Sequence, residues 1–264
     1  MASLTQPEAA VLFERVKEHI ALITINRPAA RNAINGDVAA SLQRYVKAIE
    51  EDDSIWVGVL TGSGDRAFCA GADMNEVAAG RRKLFSTPEG GFAGFVHAPR
   101  AKPWIAAVNA TAVGGGTEIA LACDMIVAAE AASFSLPEVR RGLIAGAGGV
   151  FRLPRAIPRA IAMELIATGA PLPASRALAL GMVNRVVPQA EVVTEALKLA
   201  TEICANAPVP VRESLKIARV VADLSEAELW ERSRAAGILN RTTEDYKEGP
   251  RAFMEKREPN WKGH

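Results

Sequence analysis

Three consecutive glycines, Gly114, Gly115 and Gly116, separate an apolar strand-like run from a helix-like run. The strand-like run is Trp104–Val108, and the helix-like run covers residues 118–123. Because glycine carries no side chain, this turn leaves the backbone N–H groups at the helix start accessible. Such amides bind anions and stabilise an oxygen on which negative charge develops during a reaction. Glu118 stands in the first turn of the same helix, so the sequence predicts an active centre here.

Length and charge exclude several classes of partner. The chain has 264 residues, of which 49% are hydrophobic and 23% charged, enough for one large domain or for one domain with an appendage. The 31 Lys and Arg residues nearly balance the 30 Asp and Glu residues, and the net charge is +1. This balance gives no general attraction to nucleic acid or to an anionic membrane, so neither is predicted as a partner.

The cysteines and the N-terminal residues indicate a reducing compartment. Cys69, Cys123 and Cys204 are far apart, and their spacing matches neither a disulfide framework nor a metal site, so no metal is predicted. Residues 1–15 include acidic side chains and no apolar stretch typical of a secretory signal. The longest uncharged run, residues 103–117, is too short and too rich in glycine to span a bilayer. We therefore expect a cytoplasmic protein.

The hydrophobic pattern changes along the chain. The first half alternates strand-like and helix-like runs, and from about residue 173 the pattern is mainly helical. The predicted strands are residues 11–16, 20–25, 55–60, 104–109 and 125–128, with a helix starting at residue 35 after the first pair. The predicted late helices are residues 174–180, 191–206, 209–222, 226–239 and 244–256. Strands early and helices late predict two structural layers.

Two glycine- or alanine-rich segments complete the pattern. Residues 67–74 are mostly small and follow a strand and a loop, which allows a ligand to approach the backbone closely. A second glycine cluster at residues 146–149 does not complete a dinucleotide-binding motif, because Phe151 occupies the last position. Pro154 and Pro158 are expected to break the helix that follows.

Four motifs occur in an order that points to one family. They are FCAGAD at residues 68–73, KPWIAAVN at 102–109, GGGTE at 114–118 and FSLPE at 134–138. Together they resemble the crotonase, or enoyl-CoA hydratase/isomerase, superfamily, and the resemblance extends over nearly the whole chain. Three further segments, residues 90–94, 248–253 and 261–263, look most like the carnitinyl-CoA dehydratase branch of that superfamily.

The resemblance implies a fold and an assembly. The expected fold class is α/β, a crotonase-like spiral of ββα turns with a C-terminal helical trimerisation region. Residues 1–200 would form the spiral core with the CoA site and the active site, and residues 201–264 the helical region. The partners implied are an acyl-CoA substrate and further copies of the chain, in a homotrimer or a dimer of trimers. No separate cofactor is expected, since coenzyme A is part of the substrate.

The resemblance also implies roles for particular residues. The backbone N–H groups of Ala72 and Gly115 would form an oxyanion hole for the thioester oxygen, and Glu118 and Glu138 match the two catalytic carboxylates. The positions that match substrate- or CoA-binding positions are Ala70, Asp73, Met74, Gly146, Phe253 and Lys256. Among these, the residue at 146 matches a glycine that helps to hold the reacting water. Two departures, Ala145 in place of a common proline and Cys69 in place of alanine or serine, leave the chemistry untouched.

The predicted chemistry is the addition of water across the double bond of a 2-enoyl-CoA thioester. Glu118 would take a proton from water while Glu138 gives one to the α-carbon, and the roles reverse in dehydration. At pH 7 one of the two must hold a proton, which burial beside another carboxylate favours. An enoyl-CoA delta-isomerase and a non-catalytic acyl-CoA-binding scaffold are the alternatives.

The acyl group is left open by the sequence. A cationic acyl group would favour acidic or aromatic walls, and Glu76, Glu89, Phe92 and Phe95 are available for them. The basic cluster at residues 81–83 is interpreted as a solvated face rather than as a phosphate clamp, because most charge runs are solvated.

Overall fold

The structure is a computed structural model, and it describes residues 9–264. The prediction that the chain begins without a secretory signal rests partly on residues 1–8, which lie outside the described residues. Among residues 9–264, no helix has the length and the apolar character needed to cross a membrane.

Residues 9–264 form three β-sheets and ten α-helices. The strands are β1 Val11–Lys17, β2 Ile20–Ile25, β3 Val57–Gly62, β4 Ala67–Cys69, β5 Ser86–Thr87, β6 Gly91–Phe92, β7 Trp104–Val108, β8 Thr111–Val113, β9 Met125–Ala129, β10 Ser133–Ser135, β11 Leu172–Pro173 and β12 Arg185–Val187. The helices are α1 Gly36–Glu51, α2 Met74–Ala78, α3 Gly115–Ala122, α4 Gly149–Ala156, α5 Arg159–Thr168, α6 Ala174–Ala179, α7 Val192–Cys204, α8 Pro208–Ala218, α9 Glu226–Asn240 and α10 Asp245–Glu255.

The largest sheet has six strands in the order β1-β2-β3-β7-β9-β12. The first two strands form the antiparallel hairpin that the sequence predicts, and all other neighbours are parallel. Every residue of β3 and β7 is buried, as expected for central strands that are covered on both faces. The helix α7 packs against β3, β7 and β9.

A second sheet consists of four short strands in the order β11-β10-β8-β4. After each of β3, β7 and β9 in the large sheet, the chain adds one strand, β4, β8 or β10, to the small sheet. Helices follow β8 and β10, so the chain repeats strand, strand and helix. This alternation confirms the spiral of ββα turns that the resemblance implies.

The three short strands β4, β8 and β10 are parallel to one another. Their carboxyl ends therefore lie at one edge of the small sheet, where ligands bind in open parallel sheets. Thr117 in α3 fixes this edge, because its hydroxyl lies 2.8 Å from the Ala112 carbonyl of β8 and accepts from the Ser135 amide of β10 at 3.0 Å. The Gly114 amide donates to the Ser135 carbonyl at 2.8 Å. One buried hydroxyl thus joins two strands and the helix that follows.

Two sequence expectations need correction. Pro154 lies inside α4 and does not break it, and the helix ends only before Pro158. Proline at residue 154 removes only the hydrogen bond to the Val150 carbonyl, and Val150 is exposed, so water can replace that bond. The sequence pattern also does not predict the short strands β4, β8 and β10, because three residues are too few to show an alternation of apolar and polar side chains.

Polar contacts join the C-terminal region to the rest of the chain. Arg219 forms an ion pair with Asp124 at 2.7 Å, and the Trp261 indole donates to the Ala205 carbonyl at 2.9 Å. The predicted division after residue 200 falls inside the continuous helix α7. The division into a core and a helical region stays a prediction.

We expect Thr117→Val to destabilise the fold by about 1–3 kcal/mol, because it removes a buried hydroxyl and leaves the partly buried Ser135 amide without an acceptor. The control is Thr111→Val in β8, since that hydroxyl makes one longer bond of 3.3 Å to the Arg66 carbonyl at a partly exposed position. Urea denaturation measures both variants. Equal losses in the two would contradict the role given to Thr117.

Candidate active site

Three segments meet at the carboxyl edge of the small sheet. One follows β4 and contains Ala70 and Ala72, the second follows β8 and opens α3, and the third follows β10 and contains Glu138. All three line one cavity of about 290 Å³. The small sheet therefore brings together residues that are up to 68 positions apart in the chain, from residue 70 to residue 138.

The glycine turn allows a close approach between the first two segments. A Cβ atom added to Gly116 would lie 2.0 Å from the Cys69 carbonyl oxygen, a distance that no side chain can occupy. Gly114 has φ 55° and ψ −120°, a backbone conformation that glycine adopts and L side chains rarely do. A Cβ atom there would also lie 2.7 Å from the Glu138 Oε1 atom. The turn thus needs glycine for two separate reasons.

The backbone N–H groups of Ala72 and Gly115 are available to a ligand. Ile34 donates to the Gly71 carbonyl at 2.8 Å and accepts from the Asp73 amide at 2.9 Å. Because Ile34 bonds on either side of Ala72, the Ala72 N–H points away from Ile34. Gly115 is the first residue of α3, and its N–H has no acceptor within the helix. Both residues line the cavity.

Glu118 is a buried residue of the cavity wall, with 3% of its surface exposed. Burial raises the pKa of Glu118 to about 7, against the hydrogen bonds from the Gly149 and Ala147 amides, which lower it. The Gly149 amide donates to Oε1 at 2.8 Å. The charge of Glu138 raises the pKa of Glu118 further. Near neutral pH this group therefore exists in both protonation states.

Glu138 is half-buried and belongs to the 3₁₀ turn Pro137–Arg141. Burial also raises the pKa of Glu138, and the positive charge of Arg141 lowers it. Within residues 9–264, its buried Oε2 atom has no hydrogen-bond partner. A buried carboxyl oxygen without a protein donor is suited to exchange a proton with a ligand or a water molecule.

The remaining cavity wall is mainly apolar and contains two arginines. Beyond the two carboxyl groups, the side chains larger than alanine that line it are Met74, Val77, Arg82, Phe85, Phe92, Val113, Pro137, Arg141, Leu143 and Ile144. Phe92 packs over the helix start, since a Cβ atom on Gly115 would lie 2.4 Å from its ring. Such a wall fits an apolar chain attached to one polar reacting group.

Most residues predicted from the sequence line this cavity. These are Ala70, Ala72, Met74, Gly115, Glu118, Glu138 and Gly146. Asp73 does not line it, because its carboxylate caps α2 at the Asn75 amide and forms an ion pair with Arg27 at 3.0 Å. Phe253 and Lys256 lie at the exposed end of α10, also outside the lining. A contact of these three with the substrate stays a prediction.

Several residues at the cavity have no counterpart among the predicted site residues. Arg141 follows Glu138 by three positions, and in a 3₁₀ helix residues i and i+3 lie above one another, so the spacing alone could have indicated it. Arg82 belongs to the basic cluster that the sequence assigns to a solvated face; it is exposed, as expected, and it also lines the cavity. The Gly149 amide that binds Glu118 carries no sequence signal beyond the glycine itself.

Most of the residues considered for binding a cationic acyl group lie outside the cavity lining. Glu76 forms an ion pair with Arg81 at 2.5 Å, and Glu89 does not line the cavity. Phe95 is fully buried, with its ring edge-on to Trp104 at 5.3 Å between centroids. Of the four candidates, only Phe92 faces the cavity.

We expect Gly114→Ala to lower both stability and activity. The positive φ costs about 1–3 kcal/mol for a residue with a side chain, and the new methyl group would displace the Glu138 carboxyl group. Gly181→Ala is the matched control, because Gly181 has φ 84° and a Cβ atom there meets nothing within 4 Å. Thermal unfolding and substrate turnover measure the two effects. A Gly114→Ala enzyme with the activity of the control would contradict the contact with Glu138.

The raised pKa of Glu118 predicts how stability depends on pH. An unfolded Glu118 has the ordinary value of 4.5 and the folded one about 7, so between these values the folded state binds more protons. Stability therefore falls as pH rises from 4.5 to 7, by up to about 3 kcal/mol. Glu118→Gln keeps an oxygen acceptor for the Gly149 amide and removes this titration. The unfolding free energies at pH 5 and pH 8 should differ more for the wild type than for Glu118→Gln. Equal differences in the two proteins would contradict the raised pKa of Glu118.

Comparisons with known proteins agree with this geometry. The family model described as enoyl-CoA hydratase/isomerase matches residues 15–264. The carnitinyl-CoA dehydratase of Escherichia coli (strain SMS-3-5 / SECEC) is 40% identical over 246 residues, covering 91% of this chain and 94% of that protein. The protein of the same name from Proteus mirabilis (strain HI4320) is 40% identical over 247 residues, covering 91% and 94% of the two chains.

Solved structures show the same fold. The enoyl-CoA hydratase of Mycobacterium tuberculosis H37Rv has a TM-score of 0.92 and 42% identity, covering 97% of this chain and 100% of that chain. The carnitinyl-CoA hydratase of Mycobacterium avium has a TM-score of 0.78 and 48% identity, covering 97% and 99%. The family model spans residues 15–264, and relatives at 40% identity cover nine tenths of this chain. The chain therefore belongs to the enoyl-CoA hydratase/isomerase, or crotonase, family.

Proposed function

We propose that this protein is an enoyl-CoA hydratase/dehydratase, a hydro-lyase that adds water across the double bond of a 2-enoyl-CoA thioester or removes it. The observation that carries the proposal is one cavity shared by two carboxyl groups of raised pKa, Glu118 and Glu138, and by the amides of Ala72 and Gly115. The names of the relatives and of the solved structures support the same reaction.

The first requirement of the reaction is a place for negative charge. Attack on the β-carbon moves an electron pair through the conjugated double bond to the thioester oxygen. In this proposal the N–H groups of Ala72 and Gly115 hold that oxygen. The N-terminal end of α3 adds its positive partial charge at the same point. Removing one such donor from an oxyanion site typically costs about 3 kcal/mol of barrier.

The second requirement is a pair of proton transfers. Glu118, in its deprotonated form, takes a proton from water as the water oxygen bonds to the β-carbon. Glu138, in its protonated form, gives a proton to the α-carbon. The overall change is the addition of one water, and dehydration uses the same groups in the opposite sense. Burial supports these states, because it keeps both pKa values above the ordinary range of a glutamate.

Coenzyme A enters as part of the substrate, so the proposed steps need only this chain's groups and one water. Ala70, Met74 and Gly146 line the cavity and are proposed to contact the substrate. Asp73 supports the site indirectly in this view, since its ion pair with Arg27 fixes the start of α2 beside Ala72.

We also propose that copies of this chain assemble as a homotrimer or a dimer of trimers, in the cytoplasm. No residue of α9 is buried, although Trp230, Ile238 and Leu239 on it are apolar and roughly half exposed or more. Phe253 and Met254 at the end of α10 are also exposed, at 82% and 79%. Contact with further copies would remove this apolar surface from water. The three free cysteines fit a reducing compartment.

We expect Glu118→Gln and Glu138→Gln each to lower the kcat for hydration of crotonyl-CoA by about 10²-fold or more, because glutamine can neither accept nor donate the required proton. Glu164→Gln, at an exposed position of α5, is the control and should hydrate at the wild-type rate. Loss of absorbance from the conjugated thioester measures the rate. Wild-type rates in both single variants would defeat the proposal.

Two outcomes would favour the alternatives. An isomerase needs only one carboxyl group, so a 3-enoyl-CoA would give the conjugated thioester without water addition, and one of the two glutamine variants would stay active. Binding of acyl-CoA with no turnover of any enoyl-CoA would instead indicate a scaffold.

A further inference from the structure

The cavity that holds the two carboxyl groups carries fixed positive charge. Besides Glu118 and Glu138, the only ionisable side chains among the lining residues are Arg82 and Arg141. Within residues 9–264, neither guanidinium group has a carboxylate oxygen within 4.0 Å. Arginine keeps its charge at all physiological pH values. Both arginines are exposed residues that also line the cavity, so their two positive charges act on its occupant from the solvent side.

The carboxyl groups do not reverse this balance. The proposed hydration requires one of them to hold a proton, so together they contribute one negative charge against two positive charges. The carboxyl group nearest to Arg141 along the chain is Glu138, three residues before it on the same 3₁₀ turn. Its negative charge, when present, is already set against that guanidinium.

The other walls offer little to a cation. A quaternary ammonium group is recognised by several aromatic faces or by carboxylates. Here Phe85 and Phe92 are the only aromatic side chains of the lining, and the ring of Phe92 packs over Gly115. Glu76, the acidic residue of α2, is paired with Arg81 and does not line the cavity. Leu143 and Ile144 form an apolar wall instead.

We propose that this cavity selects acyl groups without positive charge, neutral or anionic, and that Arg82 and Arg141 are the residues that discriminate against a quaternary ammonium group. The inference rests on the proposed function and deepens it. It separates this chain from its relatives named carnitinyl-CoA dehydratase, because a carnitinyl group bears a quaternary ammonium.

The test compares three 2-enoyl-CoA substrates that differ only at the γ-carbon. Crotonyl-CoA is neutral, crotonobetainyl-CoA carries a trimethylammonium group, and glutaconyl-CoA carries a carboxylate. Two unit charges several ångströms apart, at an effective dielectric constant of about 20, change an equilibrium by roughly tenfold or more. We expect kcat/KM for crotonobetainyl-CoA to be at least about tenfold below that for crotonyl-CoA, and glutaconyl-CoA to be no worse than crotonyl-CoA. A crotonobetainyl-CoA rate equal to or above the crotonyl-CoA rate would overturn the proposal.

Charge removal identifies the residues responsible. Arg141→Gln and Arg82→Gln should each lower the ratio of kcat/KM for crotonyl-CoA to kcat/KM for crotonobetainyl-CoA by several-fold. Arg141→Glu should lower this ratio more. The matched controls are Arg140→Gln, whose guanidinium donates to the Thr168 carbonyl at 2.7 Å, and Lys83→Gln. Both control residues lie outside the cavity lining, so their ratios should stay at the wild-type value.

An arginine at this cavity could also bind the phosphates of coenzyme A. The ratio of the kcat/KM values distinguishes phosphate binding from recognition of the acyl group. All three substrates share coenzyme A, so an arginine that serves only its phosphates would change all three KM values equally and leave the ratio unchanged. That result would contradict the role of the residue in acyl selection.

Binding of saturated analogues distinguishes a failure of this inference from a failure of the proposed function. Calorimetric titration with butyryl-CoA, γ-butyrobetainyl-CoA and glutaryl-CoA requires no turnover. If no enoyl-CoA is hydrated but γ-butyrobetainyl-CoA binds tenfold more weakly than butyryl-CoA, the charge selection holds and the hydratase assignment falls. If hydration is efficient and γ-butyrobetainyl-CoA binds as tightly as butyryl-CoA, the assignment holds and the charge selection falls.

Discussion

The close contact between the start of α3 and the segment after β4 is the constraint on which the candidate site depends. A side chain at Gly116 would collide with the Cys69 carbonyl, so the two backbones meet only because residue 116 is glycine. The Thr117 hydroxyl then fixes the same helix start to β8 and β10. These contacts set the position of the Gly115 amide, and the Gly149 amide holds the Glu118 carboxyl group. The geometry of the site is thus a property of the small sheet.

Sequence patterns predicted the long elements and missed the short ones for a physical reason. Apart from the three-residue β12, the strands of the large sheet and the late helices have five or more residues, enough for a hydrophobic pattern to be visible, as for Val38, Leu42, Val46 and Ile49 in α1. The strands β4, β8 and β10 contain three residues each, too few for any period. They are defined by pairing between distant segments, which a local pattern does not record. The elements that position the site were therefore the least visible in the sequence.

The site residues show the same division. Glu118 and Glu138 stand in ordered motifs, and the structure brings both to one cavity. Asp73 belongs to an equally clear motif, but its carboxylate is used to cap α2 and to pair with Arg27. Membership of a motif thus does not decide whether a side chain lines the cavity or supports the local fold. Arg82 is exposed, as a run of basic residues predicts, and the sequence does not indicate that this exposed side chain also lines the cavity.

The charge of the cavity and the protonation of its carboxyl groups are one problem. Burial raises the pKa of Glu138, and the positive charge of Arg141 opposes it, so the proton that hydration requires is held by the low polarity of the site. An apolar acyl chain excludes water from the site and so further favours the protonated form of Glu138. A cation at the same place would favour the charged carboxylates and lower both pKa values, which would remove the proton meant for the α-carbon. A cavity of this composition therefore couples the choice of acyl group to the acid–base chemistry, because one electrostatic balance governs both.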